Sequence, residues 1–91
     1  MIKHCKIKVF GRVQGVGFRY YAKVKANKLD LKGFVQNQAD GSVYLELEGS
    51  SDALADFVKW CKKGSPWSKV KSLEVKQGDL RYFDNFVVEH E

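Results

Sequence analysis

The sequence predicts an α+β sandwich in which two helices cover one face of a mainly antiparallel sheet of four to five strands. Three observations carry this expectation. Short runs with an apolar residue at every second position are interrupted by two stretches whose apolar residues recur at helical spacing. Two of the strand-like runs lie between the helical stretches and are joined by Asp40-Gly41, a strong hairpin signal. The resulting order is β-α-β-β-α-β with one further strand, the order of a layered fold with a split β-α-β unit.

Each element has its own justification. Over residues 4–10, Cys5, Ile7 and Val9 alternate with Lys6 and Lys8, as in a half-buried strand. Gly11 to Gly17 is a turn. From Phe18 to Leu29, the residues Phe18, Ala22, Ala26 and Leu29 repeat at helical spacing with Tyr21 beside them, which gives an amphipathic helix ending at Asn27-Lys28-Leu29-Asp30. Leu31 to Asn37 reads as a second strand. Val43, Leu45 and Leu47 then alternate with Tyr44, Glu46 and Glu48 in a third strand that stops at Gly49. Residues 52–62 form a second helix with Leu54, Phe57, Val58 and Cys61 on its apolar face, opened by Ser50-Ser51-Asp52 and closed by Lys62-Lys63, Gly64 and Pro66. After the loop Gly64-Ser65-Pro66-Trp67, a fourth strand runs near Val70 to Lys76. Gln77-Gly78-Asp79 turns the chain, and Phe83, Phe86 and Val88 belong to a final strand region broken near Asp84-Asn85. The whole reads as a ferredoxin-like sandwich, with Phe18, Ala22, Leu54 and Phe57 buried against Ile7, Val9, Leu45 and Leu47.

Ninety-one residues suggest a single domain, 1–91, with a modest core. A composition of 44% hydrophobic and 30% charged residues fits a globular chain rather than a disordered one. No apolar run approaches the ~20 residues of a membrane span. The start, Met-Ile-Lys-His-Cys-Lys, is too charged for the apolar segment of a signal peptide, so a cytoplasmic location is expected. Cys5 and Cys61 lack metal-ligand or redox spacing and read as buried thiols. With His4 and His90 near the ends and no Cys/His cluster, neither a metal nor another cofactor is expected. The net charge of +5 is unevenly spread. Residues 1–29 hold eight Lys or Arg and no acid, whereas the rest holds eight basic and eleven acidic side chains. The positive field therefore surrounds the glycine turn and should steer an anion toward it, unless it is simply a solvated basic face or a nucleic-acid surface.

That turn, Gly11-Arg12-Val13-Gln14-Gly15-Val16-Gly17-Phe18-Arg19, places three glycines within seven residues and feeds a helix N-terminus. Glycine permits φ > 0 and close approach, and such a turn can aim several N–H groups at one spot. No Ser, Thr, Asp or Asn lies between Gly11 and Ala26 to cap this helix, and its first turn carries Arg19 where the dipole favours acids. An anion at the N–H cluster would satisfy both; an ordinary tight turn capped by water is the alternative. Arg19 is the best candidate for chemistry, because its planar fork matches two oxygens of a phosphate or carboxylate. Asn37 is second. An amide just before the hairpin can hold a water by donating and accepting together, although Asn is also an ordinary turn former there. No nucleophile and no pair of carboxylates is placed for catalysis. An enzyme built this way would work by positioning and electrostatics on a substrate with a good leaving group.

These residues carry a resemblance. Val9-Phe10-Gly11-Arg12-Val13-Gln14-Gly15-Val16-Gly17-Phe18-Arg19 resembles the first signature of the acylphosphatase family, and Gly33-Phe34-Val35-Gln36-Asn37 with Gly41-Ser42-Val43 and Gly49 resembles the second. The resemblance implies a small, monomeric, metal-free hydrolase that splits acyl phosphates, small-molecule substrates, into a carboxylate and inorganic phosphate. It implies that Arg19 binds the phosphoryl group, that Asn37 orients the attacking water, and that the N–H groups of Gln14, Gly15, Val16, Gly17, Phe18 and Arg19 form the phosphate cradle. Two classes compete with it. An RNA-binding module of this fold would carry an aromatic strand motif that is absent here, so nucleic acid is not an expected partner. A non-catalytic anion-binding domain would keep the cradle but has no use for Asn37. Two departures stand out. Asp30 occupies a position where the family commonly has glycine; if that residue is left-handed, Asp tolerates it less well than Gly. Gly64-Ser65-Pro66-Trp67 departs from the usual Gly-Pro-Pro-type segment, leaving Trp67 either at the site mouth or over a sheet edge.

Overall fold

The computed structural model describes residues 1–90. Its elements are β1 (Lys3–Arg12), α1 (Phe18–Lys28), β2 (Lys32–Asn37), β3 (Val43–Gly49), α2 (Ser51–Lys63), β4 (Lys69–Gln77) and β5 (Phe86–Glu89). The strands form one sheet in the order β4-β1-β3-β2-β5. All neighbours run antiparallel except β2 and β5, which are parallel. This is the expected ferredoxin-like α+β sandwich, with β5 added beside β2.

The register explains the core. Cys5 pairs with Leu47, Ile7 with Leu45 and Val9 with Val43, while Val35 pairs with Leu45 on the next strand. The period of two then sends this whole set to one face, where Phe18, Ala22 and Ala26 of α1 and Leu54, Phe57 and Cys61 of α2 meet it. Both cysteines are free and buried, and burial pushes the Cys5 thiol up to about 11. The α2 helix starts as its sequence dictates. Ser50 Oγ accepts the N–H of Ala53 at 3.1 Å, and Gly64 closes the helix by donating to the Trp60 carbonyl at 2.8 Å.

The end of α1 also follows from its residues. Asp30 has φ of 57°, Leu31 N–H donates to the Ala26 carbonyl at 2.8 Å and Asp30 N–H to that of Asn27 at 3.2 Å, which is the Schellman arrangement. The left-handed residue is therefore Asp30, at the position the family resemblance singles out, and among the described residues its one side-chain partner is the Lys32 ammonium at 3.4 Å. Relief of the left-handed penalty, of about 1 kcal/mol, should raise the melting temperature of Asp30→Gly by roughly 4–8 °C. A lower melting temperature would contradict this.

The opposite face of the sheet departs from expectation. An alternating antiparallel strand ordinarily leaves its polar side in water. Here the connection between β4 and β5 folds back across that side, and Glu46 and Glu48 are 7% and 4% exposed. His4, also buried, lies between them: Nδ1 is 2.6 Å from Glu48 Oε2 and Nε2 is 2.9 Å from Glu46 Oε1. Glu48 further accepts the N–H groups of Arg81 and Phe83 at 2.6 and 3.0 Å, and the Phe83 ring stacks on His4 with centroids 5.8 Å apart. The glutamates are thus anchors for residues 78–85 rather than a solvated face. The two imidazole nitrogens face different carboxylates, so these donors do not converge on one point. Among the described residues no group of three or more His, Cys, Asp or Glu is placed to hold a metal ion.

Candidate active site

The site begins where β1 stops pairing regularly. The register with β4 shifts between Phe10 and Gly11, and Gly11 has φ of 128°. A Cβ at Gly11 would lie 2.2 Å from the Lys69 carbonyl oxygen, so only glycine lets the two backbones pass this closely. The bulge sends the chain into the loop that precedes α1. Gly15 and Gly17 both take φ near +75°, at 74° and 76°. Gly17 is the N-cap of α1, no side chain caps it, and the first turn holds no acid. Among the described residues, the amides from Gln14 through Tyr20 find no acceptor in the loop or helix; the first to donate is Tyr21, to the Gly17 carbonyl at 3.1 Å. This is the uncapped N-terminus that the sequence predicts, and it presents a run of free donors beside a helix dipole.

Two side chains that sequence reasoning missed hold the loop in place. Gln14 Nε2 donates to the carbonyls of Gln38 and Ser42 at 2.8 and 2.9 Å, tying the loop to the β2–β3 hairpin. Ser65 Oγ donates to the Val16 carbonyl at 2.9 Å, tying it to the start of the α2–β4 loop. The sequence offers no local signal for either, because the partners lie 24 to 49 residues away. Ser65 gives the departure at Gly64-Ser65-Pro66 a physical role. Trp67, by contrast, is 71% exposed and neither lines a cavity with Arg19 or Asn37 nor lies buried over the sheet.

Arg19 is half-buried in the first turn of α1. Its Nη1 donates to the Glu89 carbonyl at 3.1 Å and lies 3.3 Å from His90 Nδ1. The guanidinium therefore spans from the glycine loop to the end of β5. Asn37 is the last residue of β2, and its amide oxygen is buried with no hydrogen-bond partner among the described residues. A buried acceptor left open in this way is unusual enough to point to a role for a bound molecule. The hairpin after it is braced by side-chain bonds: Asp40 accepts from the Ser42 hydroxyl and N–H at 2.6 and 3.0 Å, and these bonds, assisted by Lys8, hold its carboxyl down at about 2. His90 lines both the cavity that holds Gly15, Gly17 and Arg19 and the cavity that holds Asn37 and Gln38. The structure thus brings the loop, Arg19 and Asn37 around the end of β5, and the involvement of Glu89 and His90 is an addition to the sequence reading.

Comparison with known proteins gives one answer. The family model described as acylphosphatase matches residues 5–88. The chain is 42% identical over 88 residues to a protein named acylphosphatase from Ligilactobacillus salivarius, covering 96% of this chain and 98% of that one. It is 49% identical over 72 residues to one from Bacillus subtilis, covering 79% of each. The crystal structure of acylphosphatase from Bacillus subtilis superposes with a TM-score of 0.94 at 42% identity, over 99% of this chain and all of that one. With matching signatures, fold and relatives that span its length, the chain belongs to the acylphosphatase family.

Proposed function

We propose that the protein hydrolyses acyl phosphates to a carboxylate and inorganic phosphate, using the N–H groups from Gln14 to Arg19 as a cradle, the Arg19 guanidinium as its charged clamp and Asn37 as the holder of the attacking water. The observation that carries this reading is the buried amide oxygen of Asn37, unpartnered among the described residues, in a cavity that shares His90 with the one lined by Arg19 and the glycine loop, whose amides are free. The phosphoryl oxygens sit in the cradle, where fixed N–H groups and Arg19 meet the charge that the transition state spreads over its equatorial oxygens. The water accepts from the Asn37 amide N–H₂ and donates to its oxygen, which aims one lone pair at phosphorus. The P–O bond to the acyl group breaks, and the carboxylate leaves with the bonding electrons. Carboxylic acids ionise near pH ~4, so this leaving group needs no general acid. Asn is a poor base, and the water's proton passes to a phosphate oxygen of the substrate. We also propose that residues 1–91 act as one domain and as a monomer in the cytoplasm. No helix among the described residues is long and apolar enough to cross a membrane.

Two features of the kinetics test this reading. Turnover of benzoyl phosphate should persist in excess EDTA, because no step is routed through a metal. The rate should stay nearly flat around neutral pH, because no side chain in the scheme exchanges a proton. A histidine step in the profile would instead draw His90, beside Arg19, into the chemistry.

A further inference from the structure

The cavity at the glycine loop does not end at Arg19. It continues along the first helix, between α1 and β5, past Tyr20, Lys23, Val24 and Asn27, with Val88 of β5 across from them. Val24 and Val88 are half-buried and give this groove an apolar middle. Lys23 and Asn27 are exposed along one side, four residues apart on the helix, and among the described residues no Asp or Glu lines the groove. Lys23 follows Arg19 by one helical turn, so its backbone lies ~6 Å further along the axis, and Asn27 lies one turn beyond. One end of the groove is thus the phosphate cradle, the middle suits a short hydrocarbon, and the far end offers an ammonium and an amide.

We infer that this groove receives the acyl group and selects acyl phosphates that carry a second carboxylate about one helical turn from the phosphoryl end, the acyl phosphates of short diacids. The inference rests on the hydrolase reading above and adds the part of the substrate that the cradle does not touch. The second carboxylate meets the Lys23 ammonium and the Asn27 amide, while its methylene groups cross Val24 and Val88. An acyl group with a terminal methyl leaves both polar groups to water. A cationic acyl group meets Arg19 and Lys23, with no acidic residue among the described lining residues to offset them. Other lysines on α1 do not share this position: Lys28, in the last turn, lies outside the groove.

The test compares succinyl phosphate with butyryl phosphate, which differ only in ending with a carboxylate or a methyl group, by kcat/KM. In the unmodified protein the succinyl compound should be preferred by about fivefold, the scale of one solvent-exposed ion pair. Lys23→Gln should bring that ratio close to one, and Lys28→Gln should retain it. A ratio near one in the unmodified protein, or equal losses of preference in Lys23→Gln and Lys28→Gln, would overturn the inference, the second by assigning the preference to the general basic field. Calorimetric binding of the two corresponding phosphonates, with methylene in place of the bridging oxygen, separates this from the hydrolase reading. If neither acyl phosphate is turned over, the hydrolase reading falls and the phosphonates still decide the groove. Tighter binding of the carboxylate-bearing phosphonate, lost in Lys23→Gln, upholds it; equal or undetectable binding of the pair overturns it.

Discussion

Arg19→Ala should lower kcat/KM for benzoyl phosphate by about a thousandfold or more, the scale seen when a fixed donor or an arginine is withdrawn from a charged transition state. That corresponds to about 4 kcal/mol of transition-state stabilisation. Inhibition by inorganic phosphate should weaken with it, because the same guanidinium clamps the phosphoryl group in ground and transition states. Arg19→Lys should recover only part of the loss: an ammonium restores the charge but not the planar two-point contact. The melting temperature should hardly change, since among the described residues the side chain bonds only to the exposed Glu89 and His90 at and after the end of β5. A variant that keeps its kcat/KM, or one that loses activity only by unfolding, would remove Arg19 from the site.

Glu48→Ala should be the most damaging change away from the site, costing about 3–5 kcal/mol in a denaturant melt. It leaves the buried His4 without its 2.6 Å partner and strands the N–H groups of Arg81 and Phe83. Glu48→Gln should cost less, because an amide oxygen still accepts one of these bonds. The acid response carries a sign as well. Burial alone would raise the Glu48 carboxyl, but the bonds from Arg81 N–H, His4 and Phe83 N–H outweigh it and hold it below the ordinary 4.5. A carboxyl depressed in the folded state stabilises the protein above its unfolded pKa, and that contribution disappears as pH falls through the folded value. Stability should therefore drop below about pH 4.5, and Glu48→Gln should blunt the drop. An unchanged acid profile in Glu48→Gln would show that the carboxylate does not anchor residues 78–85.

The parts of this molecule that could be read in its sequence are those with local causes. Gly15 and Gly17 announce left-handed backbone, and the missing cap before Phe18 announces free donors, without any knowledge of the rest of the chain. The same holds for Ser50 at the start of α2, whereas the left-handed position of Asp30 at the end of α1 was raised only by the family resemblance. Non-local pairings were not legible. The alternation of Val43 to Glu48 looks like an ordinary half-solvated strand, because nothing in it says that residues 78–85 return to cover the glutamates. Gln14 reads as one residue of a loop until the hairpin carbonyls of Gln38 and Ser42 are placed beside it. Asn37 reads as a turn former until its oxygen is seen to be buried and open. The groove along α1 could not be foreseen, since it depends on β5 running parallel to β2 and bringing Val88 opposite Val24.

The central claim is that the cradle binds the phosphoryl group and Asn37 separately positions the water. The most direct measurement is steady-state hydrolysis of benzoyl phosphate by Asn37→Ala in EDTA, with phosphate inhibition measured on the same preparation. The account predicts that kcat falls by about a hundredfold or more while the inhibition constant for phosphate stays close to that of the unmodified protein. Loss of phosphate binding in step with kcat would contradict it and make Asn37 part of the cradle; full activity would mean that the water is held elsewhere.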